Sequence, residues 1–556
     1  MHHALTTDSG SFPITTHEVL NQSGPFVGVN IYDGDAILSA AVEREGGGWV
    51  TERASALGAA AGDPEVQEHS YLANKHGPVL RTHDRFGNRI DAVDFHPSYH
   101  ALMQLAFGSG VHALSWTEPR EGAHVARAAL SFVWNQIESG IGCPTGMAYS
   151  SVPTLRKVPE IDRVWTDKII AQDYDPRPIA VGEKQACTIG MALTEKQGGS
   201  DLRANSTFGM PAGLRGEGQE YRLTGHKWFC SAPMSDAFLT LAQTDNGPSL
   251  FFVPRSLPDG TRNRFFIQRL KDKAGNRSNA SSEIEYEDTF ALLIGEEGRG
   301  IRAAMEMAHL TRLDFSIGSA GLMRWALNLT LHHTHHRRVF QRTLAEQPLM
   351  ENVLADLCLE VEAATLLGFA LAGHIDRADL VERDRLLERL VTPAAKFWNC
   401  KRAPAFVAEC LECHGGNGFI EEQPMPRLYR EAPLNGIWEG TGNVVCLDVE
   451  RVLTREPDAF DAFMEELRTE RGSNATFDHY VDKIGDLAIG PLQGRMRQLT
   501  IAMATAYEGL LFLRHSSTDA AALFIESRLG NLPNRAFGSL PADARLRGVI
   551  RRTRVA

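Results

Sequence analysis

Met191-Ala-Leu-Thr-Glu-Lys-Gln-Gly-Gly-Ser-Asp201 decides what kind of fold this chain adopts. It runs from an apolar start through Thr194 and Glu195 to a glycine pair, Gly198-Gly199, and ends on Ser200 and Asp201. Without a Cβ, a glycine pair lets backbone amides come close to a bound group. Amides in such a turn form an anion-binding concavity, and the Thr194 and Ser200 hydroxyls stand beside it as further donors. A polar hairpin turn has the same composition, so the neighbouring sequence must separate a ligand loop from an ordinary bend.

Around this stretch, between 187 and 294, short runs such as Tyr221-Arg-Leu-Thr, Phe238-Leu-Thr-Leu-Ala, Leu250-Phe-Phe-Val and Arg264-Phe-Phe-Ile-Gln alternate with Gly, Pro, Asn and Asp. Aromatic and β-branched residues between turn formers predict strands. The flanks have a helical period instead. In 122–140, Leu130, Val133, Trp134 and Ile137 share one face, which leaves Arg127 and Gln136 to face water. Upstream, from about residue 6 to 80, the chain is mixed, with loop-like glycine and proline clusters. A long helix is predicted from Gly300 to about Phe340, and a second over 349–375 with Leu354, Leu357, Val361 and Ala364 on one face. A third should begin near Pro393 with Thr392 as its N-cap, and Pro404 should kink or interrupt it. The stretches 460–471 and 499–514 are also helical. The expected architecture is multidomain α+β: a mainly helical domain over 1–186, a β-barrel or sandwich over 187–294, a helical bundle over 295–457 and a helical extension over 458–556.

Four more stretches stand out in this frame: Gly225-His-Lys-Trp-Phe-Cys-Ser231, Arg337-Arg-Val-Phe340, His414-Gly-Gly-Asn-Gly-Phe419 and Arg430-Glu-Ala-Pro-Leu-Asn-Gly-Ile-Trp-Glu-Gly-Thr-Gly-Asn443. With the first stretch and the order helical, β, helical, they resemble the acyl-CoA dehydrogenase family, strongly over 185–452. That resemblance implies a bound FAD held by Met191, Leu193, Thr194, Gly199 and Ser200, with Thr194 at the isoalloxazine edge and Ser200 on the pyrophosphate. It implies that Phe229 covers one flavin face and Ser231 hydrogen-bonds the ring. The family usually has tryptophan and threonine at those two places, and here Trp228 lies one position earlier. Arg337, Phe340 and Gln347 match residues that reach the FAD of a neighbouring subunit, although the family's glycine after the phenylalanine is Gln341 here. A planar guanidinium suits that role because it pairs with phosphate oxygens. Gly415, Gly416 and Gly418 match a loop whose amides approach FAD across the same contact, so a homo-oligomer, a tetramer, is expected.

In the last motif the resemblance makes Glu439 the base and gives Trp438, Thr441 and Asn443 cofactor contacts. The implied reaction is α,β-dehydrogenation of an acyl-CoA thioester. Its α-proton is taken by a carboxylate on the opposite side of the substrate from the flavin, which receives the β-hydrogen as hydride. Desolvation beside Trp438 should raise the carboxyl toward the range useful for a base. Lys271-Asp-Lys-Ala-Gly-Asn-Arg-Ser-Asn-Ala280 and Pro426-Arg-Leu-Tyr-Arg-Glu narrow the resemblance to the adaptive alkylation-response, AidB-type branch. That branch carries an alternative, a flavoprotein that binds double-stranded DNA through its C-terminal extension and has weak dehydrogenase activity.

A chain of 556 residues with 43% hydrophobic residues exceeds one core and predicts several domains. A net charge of -12 argues against whole-surface attraction to nucleic acid or to an anionic membrane. The extension is nearly balanced: from 459 to 556, 13 Lys/Arg stand against 11 Asp/Glu. Its end is basic, with Arg535, Arg545, Arg547, Arg551, Arg552 and Arg554 against Asp543, and the last five arginines are the candidate DNA contacts. A helix cap or a subunit contact explains them equally well. Residues 1–6 lack the pattern of an export signal, no apolar run approaches the ~20 residues of a membrane span, and eight irregularly spaced cysteines suit reduced thiols. The expected location is cytoplasmic.

Cys410-Leu-Glu-Cys-His414 has the spacing of a haem attachment site, but it runs straight into the glycine loop. His332, His333, His335 and His336 contain a same-face pair without an acidic or cysteine ligand nearby in sequence, which favours a solvated helix end over a metal site. Glu195 and Glu360 are taken as solvated or structural charges.

Overall fold

The computed structural model describes residues 16–530 and 536–555; residues 1–6 and Arg535 fall outside that range. Aspartates open the first helices. Asp35 accepts from the Leu38 amide ahead of Ala36–Arg44, and Asp63 accepts from the Glu65 amide ahead of Pro64–Lys75. Each cap satisfies an amide that has no partner inside its helix. With Thr51–Ala61 between them, these helices fill the stretch whose glycines suggested mixed structure. The glycines sit at the joints instead: a Cβ on Gly62 would collide with the Val29 carbonyl. An antiparallel hairpin, β1 (Val79–His83) and β2 (Arg89–Asp94), interrupts the otherwise helical region.

The helix Ala123–Ile137 corrects one expectation. Arg127 and Gln136, read as facing water, are buried. Arg127 pairs with Asp314, donates from Nε to the Val111 carbonyl at 2.7 Å and lies 3.9 Å from the Tyr149 ring centre. Periodicity reveals a helix's own apolar stripe. It does not reveal that Thr51–Ala61, Gly300–His336 and Pro348–Arg377 all pack on this helix.

Seven strands then form one sheet: β3 (Ile189–Ala192), β4 (Phe208–Pro211), β5 (Glu220–Ser231), β6 (Ala237–Thr244), β7 (Gly247–Pro254), β8 (Phe265–Leu270) and β9 (Ser281–Ile294). β6 pairs with β4, β4 with β5, β5 with β9, β9 with β7, and β7 returns to β6, so the sheet closes as a barrel. β3 adds to β6 in parallel, and β8 extends the edge that β9 later gives to β7. Phe238, Phe251, Phe265 and Tyr286 fill the interior.

The helices Gly300–His336, Pro348–Arg377, Glu382–Cys413 and Gly442–Arg455 form the bundle. Glu382–Cys413 overturns a second expectation, since it begins well before Pro393, and Pro404 does not interrupt it. Thr392 is no N-cap; its hydroxyl donates back to the Glu388 carbonyl at 2.8 Å. A proline inside a helix removes one backbone bond, and lateral packing against Gly300–His336, Pro348–Arg377 and Gly442–Arg455 holds the helix together across both sites.

Among its described residues the extension supplies five more α-helices: Pro457–Arg468, Ala475–Leu487, Met496–His515, Thr518–Phe524 and Arg545–Thr553. Polar links tie it to the bundle. His374 bridges Asp384 and the Tyr507 hydroxyl, each at 2.6 Å. Arg402 and Arg528 lie among the buried carboxylates Asp356 and Glu360, and Trp398 donates to the buried Glu508 at 2.9 Å. Burial, with the Glu360 charge added, pushes the Glu508 carboxyl up to about 8. A folded-state value above the unfolded 4.5 means that the folded chain keeps a proton which the unfolded chain releases. Stability from this group is therefore complete below about pH 4.5 and is lost as pH rises toward about 8. Thermal unfolding across that window should show the wild type losing Tm, while Glu508→Gln stays flatter and gains on the order of a few kcal/mol at the alkaline end. Parallel curves for the two proteins would remove Glu508 as the cause.

Candidate active site

Strand β3 carries the buried Met191 and delivers the half-buried Leu193 and Thr194 to the rim of the barrel, where Glu195 turns inward. Its side chain is fully buried, as is that of Lys227 on β5, and the two meet at 2.8 Å. The Glu195 carboxylate also accepts from the Ser206 amide and hydroxyl, the Thr207 amide and the Gln197 side chain. Burial alone would raise this carboxyl; Lys227 and these donors hold it well below the usual range. Glu195 is thus a structural charge and not a solvated one, and Glu360 is likewise buried and paired. With its carboxylate fixed, the Glu195 carbonyl accepts from the Gly198 amide and closes the turn. Gly198 has φ 136°, a conformation glycine adopts freely, and a Cβ on Gly199 would strike the Thr194 hydroxyl. Ser200 lies exposed just beyond.

The second motif is pinned to the first. The Trp228 amide donates to the Thr194 carbonyl at 2.8 Å, and the Lys196 amide donates to His226. Between Lys227 and Cys230, β5 gains one residue on β9, because Lys227 faces Ile284 while Cys230 faces Ser282. Such a bulge re-aims the side chains within it. Trp228 turns under the Lys271 ammonium, 3.1 Å from its ring centre, and Phe229 is left 48% exposed. Ser231 ends the strand beside Cys143 of the helix Gly142–Leu155. Burial pushes the Cys143 thiol up to about 11 against Lys273, Ser231 and Asn279, and the charge of Glu439 adds to the rise.

Glu439 therefore comes to the same place from the far end of the chain. Trp438 packs 5.3 Å from Phe315 and joins the apolar cluster that includes Met191 and Leu193. Glu439 and Gly440 both have positive φ, 48° and 105°. For a glutamate that is a sparsely populated conformation, which persists only where its surroundings enforce it. Arg312 donates to the Glu439 carbonyl at 3.3 Å and Lys396 to the Gly440 carbonyl at 2.6 Å. The Glu439 carboxyl itself has no hydrogen bond or ion pair among the described residues. Desolvation raises it above its ordinary range, and Arg312 and Lys396 oppose the rise. Thr441 precedes the helix Gly442–Arg455, and both Thr441 and Asn443 are exposed.

The remaining predicted residues gather elsewhere. Arg337 ends the helix Gly300–His336 and donates to the Asn21 carbonyl. A two-residue turn joins β10 (Arg338–Val339) to β11 (Arg342–Thr343), with Phe340 at φ 49° and Gln341 at φ 69°. This geometry, with φ positive at both central positions, ordinarily calls for glycine or asparagine. It holds Phe340 91% exposed, and Gln347 steadies it through the Val339 carbonyl. The loop Gly415–Phe419 is adjacent, since His414 stacks on His333 at 4.6 Å. A Cβ on Gly415 or Gly416 would meet nothing within 4 Å, whereas Gly418 packs on the Leu411 carbonyl. Arg312 and Arg337 are about 25 residues apart along one helix, or roughly 37 Å, farther than a single dinucleotide spans. The predicted residues therefore fall into two separate groups on one chain.

Comparison with known proteins gives three family matches along the chain. Residues 21–176 match the Adaptive response protein AidB N-terminal domain, 190–289 the acyl-CoA dehydrogenase middle domain and 298–454 the acyl-CoA dehydrogenase C-terminal domain. AidB of Escherichia coli (strain K12) is 44% identical over 509 residues, which is 91% of this chain and 93% of that protein. The chain belongs to the acyl-CoA dehydrogenase family, on its AidB branch. Acyl-CoA dehydrogenase family member 11 of Caenorhabditis elegans is 29% identical over 80% of this chain and 73% of its own. The structure of Caenorhabditis elegans ACDH-11 in complex with C11-CoA superposes with a TM-score of 0.83 at 25% identity, covering 98% of this chain and 93% of that one. An acyl-CoA dehydrogenase complexed with FAD from Bacillus anthracis shares the fold, with a TM-score of 0.63 at 17% identity over 96% of this chain and 90% of that one.

Two groups of residues in this family member escaped the sequence reading. Lys227 and the donors around Glu195 form one; Arg312, Lys396 and Asp448 form the other. Lys396 had a visible signal, a lone lysine within Val391-Thr-Pro-Ala-Ala-Lys-Phe-Trp398. The histidine cluster is less solvated than expected: His333 is buried, and His332 and His336 are 4.4 Å apart with the His336 ring on the His332 carbonyl. Among the C-terminal arginines, Arg545 pairs with Glu526 and Asp543, Arg547 with Glu351 and Arg552 with the buried Glu362.

Lys227→Met should leave Glu195 buried and unpaired, at a cost of about 3–5 kcal/mol in denaturant unfolding. Restoring the charge as Lys227→Arg should recover part of that loss. A change below about 0.5 kcal/mol in Lys227→Met would show that the pair does not hold the loop.

Proposed function

We propose that this protein is an FAD-dependent acyl-CoA dehydrogenase in which Glu439 takes the α-proton of an acyl-CoA thioester. The observation that carries the proposal is the Glu439 turn. A carboxyl with no partner of its own is held in a strained conformation, desolvated, and near the Ser231 end of the exposed Phe229 platform. A base needs that combination, because burial brings its pKa toward neutrality and the free carboxylate can accept a proton.

The residues present fit FAD. Phe229 offers a solvent-facing aromatic surface, the backbone at Gly198 has open space beside it for a phosphate, and Thr194, Ser200 and Ser231 supply hydroxyl donors around it. Bound there, FAD supplies the hydride acceptor. The half-site of Arg337, Phe340, Gln347, Gly415, Gly416 and Gly418 is proposed to reach the FAD of a second subunit, which makes the protein a homo-oligomer, a tetramer. Trp438, Thr441 and Asn443 complete the first half-site. The eight cysteines, all free and buried, support a cytoplasmic location, and no described helix is long and apolar enough to cross a membrane. Double-stranded DNA is the less favoured partner. Three of the five candidate arginines are committed to carboxylates, which leaves Arg551 and Arg554 for phosphate.

Glu439→Gln should fold and keep its flavin while substrate-driven flavin reduction falls by ~10²–10⁴ in stopped-flow traces. Undiminished reduction would refute Glu439 as the base. Arg552→Ser should destabilise the fold by leaving Glu362 unpaired, while Arg551→Ser should leave stability within about 0.5 kcal/mol. Equal stability of the two variants by denaturant unfolding would return Arg552 to the surface as a candidate phosphate contact.

A further inference from the structure

Lys396 is 1% exposed in the middle of Glu382–Cys413, beside Ala395 and Phe397. A buried ammonium is costly unless it is hydrogen-bonded and its charge is balanced nearby. Its single hydrogen bond among the described residues goes to the Gly440 carbonyl, and it has no ion pair there. Arg312, the other cation on this turn, is placed differently. Its guanidinium pairs with Asp448, which also takes Arg451 at 2.9 Å and Arg389 at 3.6 Å. That carboxylate already lies among three guanidinium groups and has no charge left for Lys396.

We propose that Lys396 is the positioning residue of the Glu439 turn, holding the Gly440 carbonyl and supplying, beside Arg312, a positive charge with no acid of its own that favours the carboxylate form of Glu439. The inference rests on Glu439 as the base and adds what sets its readiness.

The groups facing this pair come from each packed element. Glu439 meets Arg312 from Gly300–His336, Lys396 from Glu382–Cys413 and Cys143 from Gly142–Leu155. Lys396 meets Cys400, Arg312, Glu439 and Lys401. Burial lowers the Lys396 ammonium; Cys400 and Glu439 pull it back up, while Arg312 and Lys401 push it down. Of the two cations that favour the Glu439 carboxylate, Arg312 acts more strongly but is already paired with Asp448, whereas Lys396 has no acid of its own among the described residues.

The test uses the flavin-loaded enzyme. A glutamine at 396 can keep a hydrogen bond to the Gly440 carbonyl while removing the charge, and an arginine keeps the charge. Flavin reduction depends on ionised Glu439, so its rate rises with pH through the carboxyl's pKa. Lys396→Gln should move that rising limb up by about 1 unit, which slows reduction about tenfold on its acid side, with recovery at high pH. Lys396→Arg should restore the wild-type limb. Independently of turnover, infrared titration of ¹³C-glutamate-labelled enzyme, with Glu439→Gln subtracted, should show the Glu439 carboxyl protonating at higher pH in Lys396→Gln. An unmoved limb and an unmoved infrared titration would overturn the proposal. So would a uniform loss at every pH that Lys396→Arg fails to rescue, because that is the behaviour of a packing residue. If Glu439→Gln reduces its flavin as fast as the wild type, the base assignment fails instead, and the infrared titration still decides whether Lys396 sets the carboxyl.

Discussion

A fully buried carboxylate and a fully buried ammonium, Glu195 and Lys227, fix the geometry from which the rest of the site is measured. Neither charge can be left alone in that environment without a cost of several kcal/mol, so the two strands that carry them must meet in one register. The amide of Trp228, next to Lys227, then falls on the Thr194 carbonyl, and the glycine turn closes over the Glu195 carbonyl. Phe229 is exposed because the bulge beyond Lys227 shifts the alternation of β5 at that point. Loop, aromatic platform and Ser231 are therefore one rigid unit, although they arrive as two separate segments of chain.

The bundle brings the proposed base, Glu439, to that unit by the opposite means. Glu439 is forced into a conformation that costs on the order of 1–3 kcal/mol, by two donors on different helices acting on successive carbonyls. The donors hold backbone, so the carboxyl keeps its own capacity free. The two halves meet in one apolar cluster that contains Cys143, Met191, Leu193 and Trp438. The helix that contributes Arg312 ends at Arg337, so the spacing between the two proposed half-sites is set by one stiff rod.

What the sequence made legible were backbone demands and apolar patterns. The glycines of 198–199 and 415–418, the aromatic-Glu-Gly-Thr run and the strand pattern around them are local properties, and their places in the structure follow from them. Partners were not legible. Arg312 and Lys396 lie 127 and 44 residues from the carbonyls they hold, and periodicity along one helix does not say which polar residue will find a buried acceptor. For the same reason Arg127 and Gln136 were assigned to water. Pro393 misled in the other direction, since a local rule about helix interiors gave way to packing along the whole length of Glu382–Cys413. The C-terminal arginines show the limit of counting charges: Arg545, Arg547 and Arg552 are matched by acids distant in the chain.

Catalysis requires that the Glu439 turn and the Phe229 platform form one site. Anaerobic titration of the purified yellow protein with acyl-CoA thioesters of graded chain length tests this most directly. At least one thioester should bleach the oxidised flavin and yield the 2,3-enoyl-CoA in stoichiometric amount. A flavin that dithionite reduces but that no acyl-CoA bleaches would contradict the account.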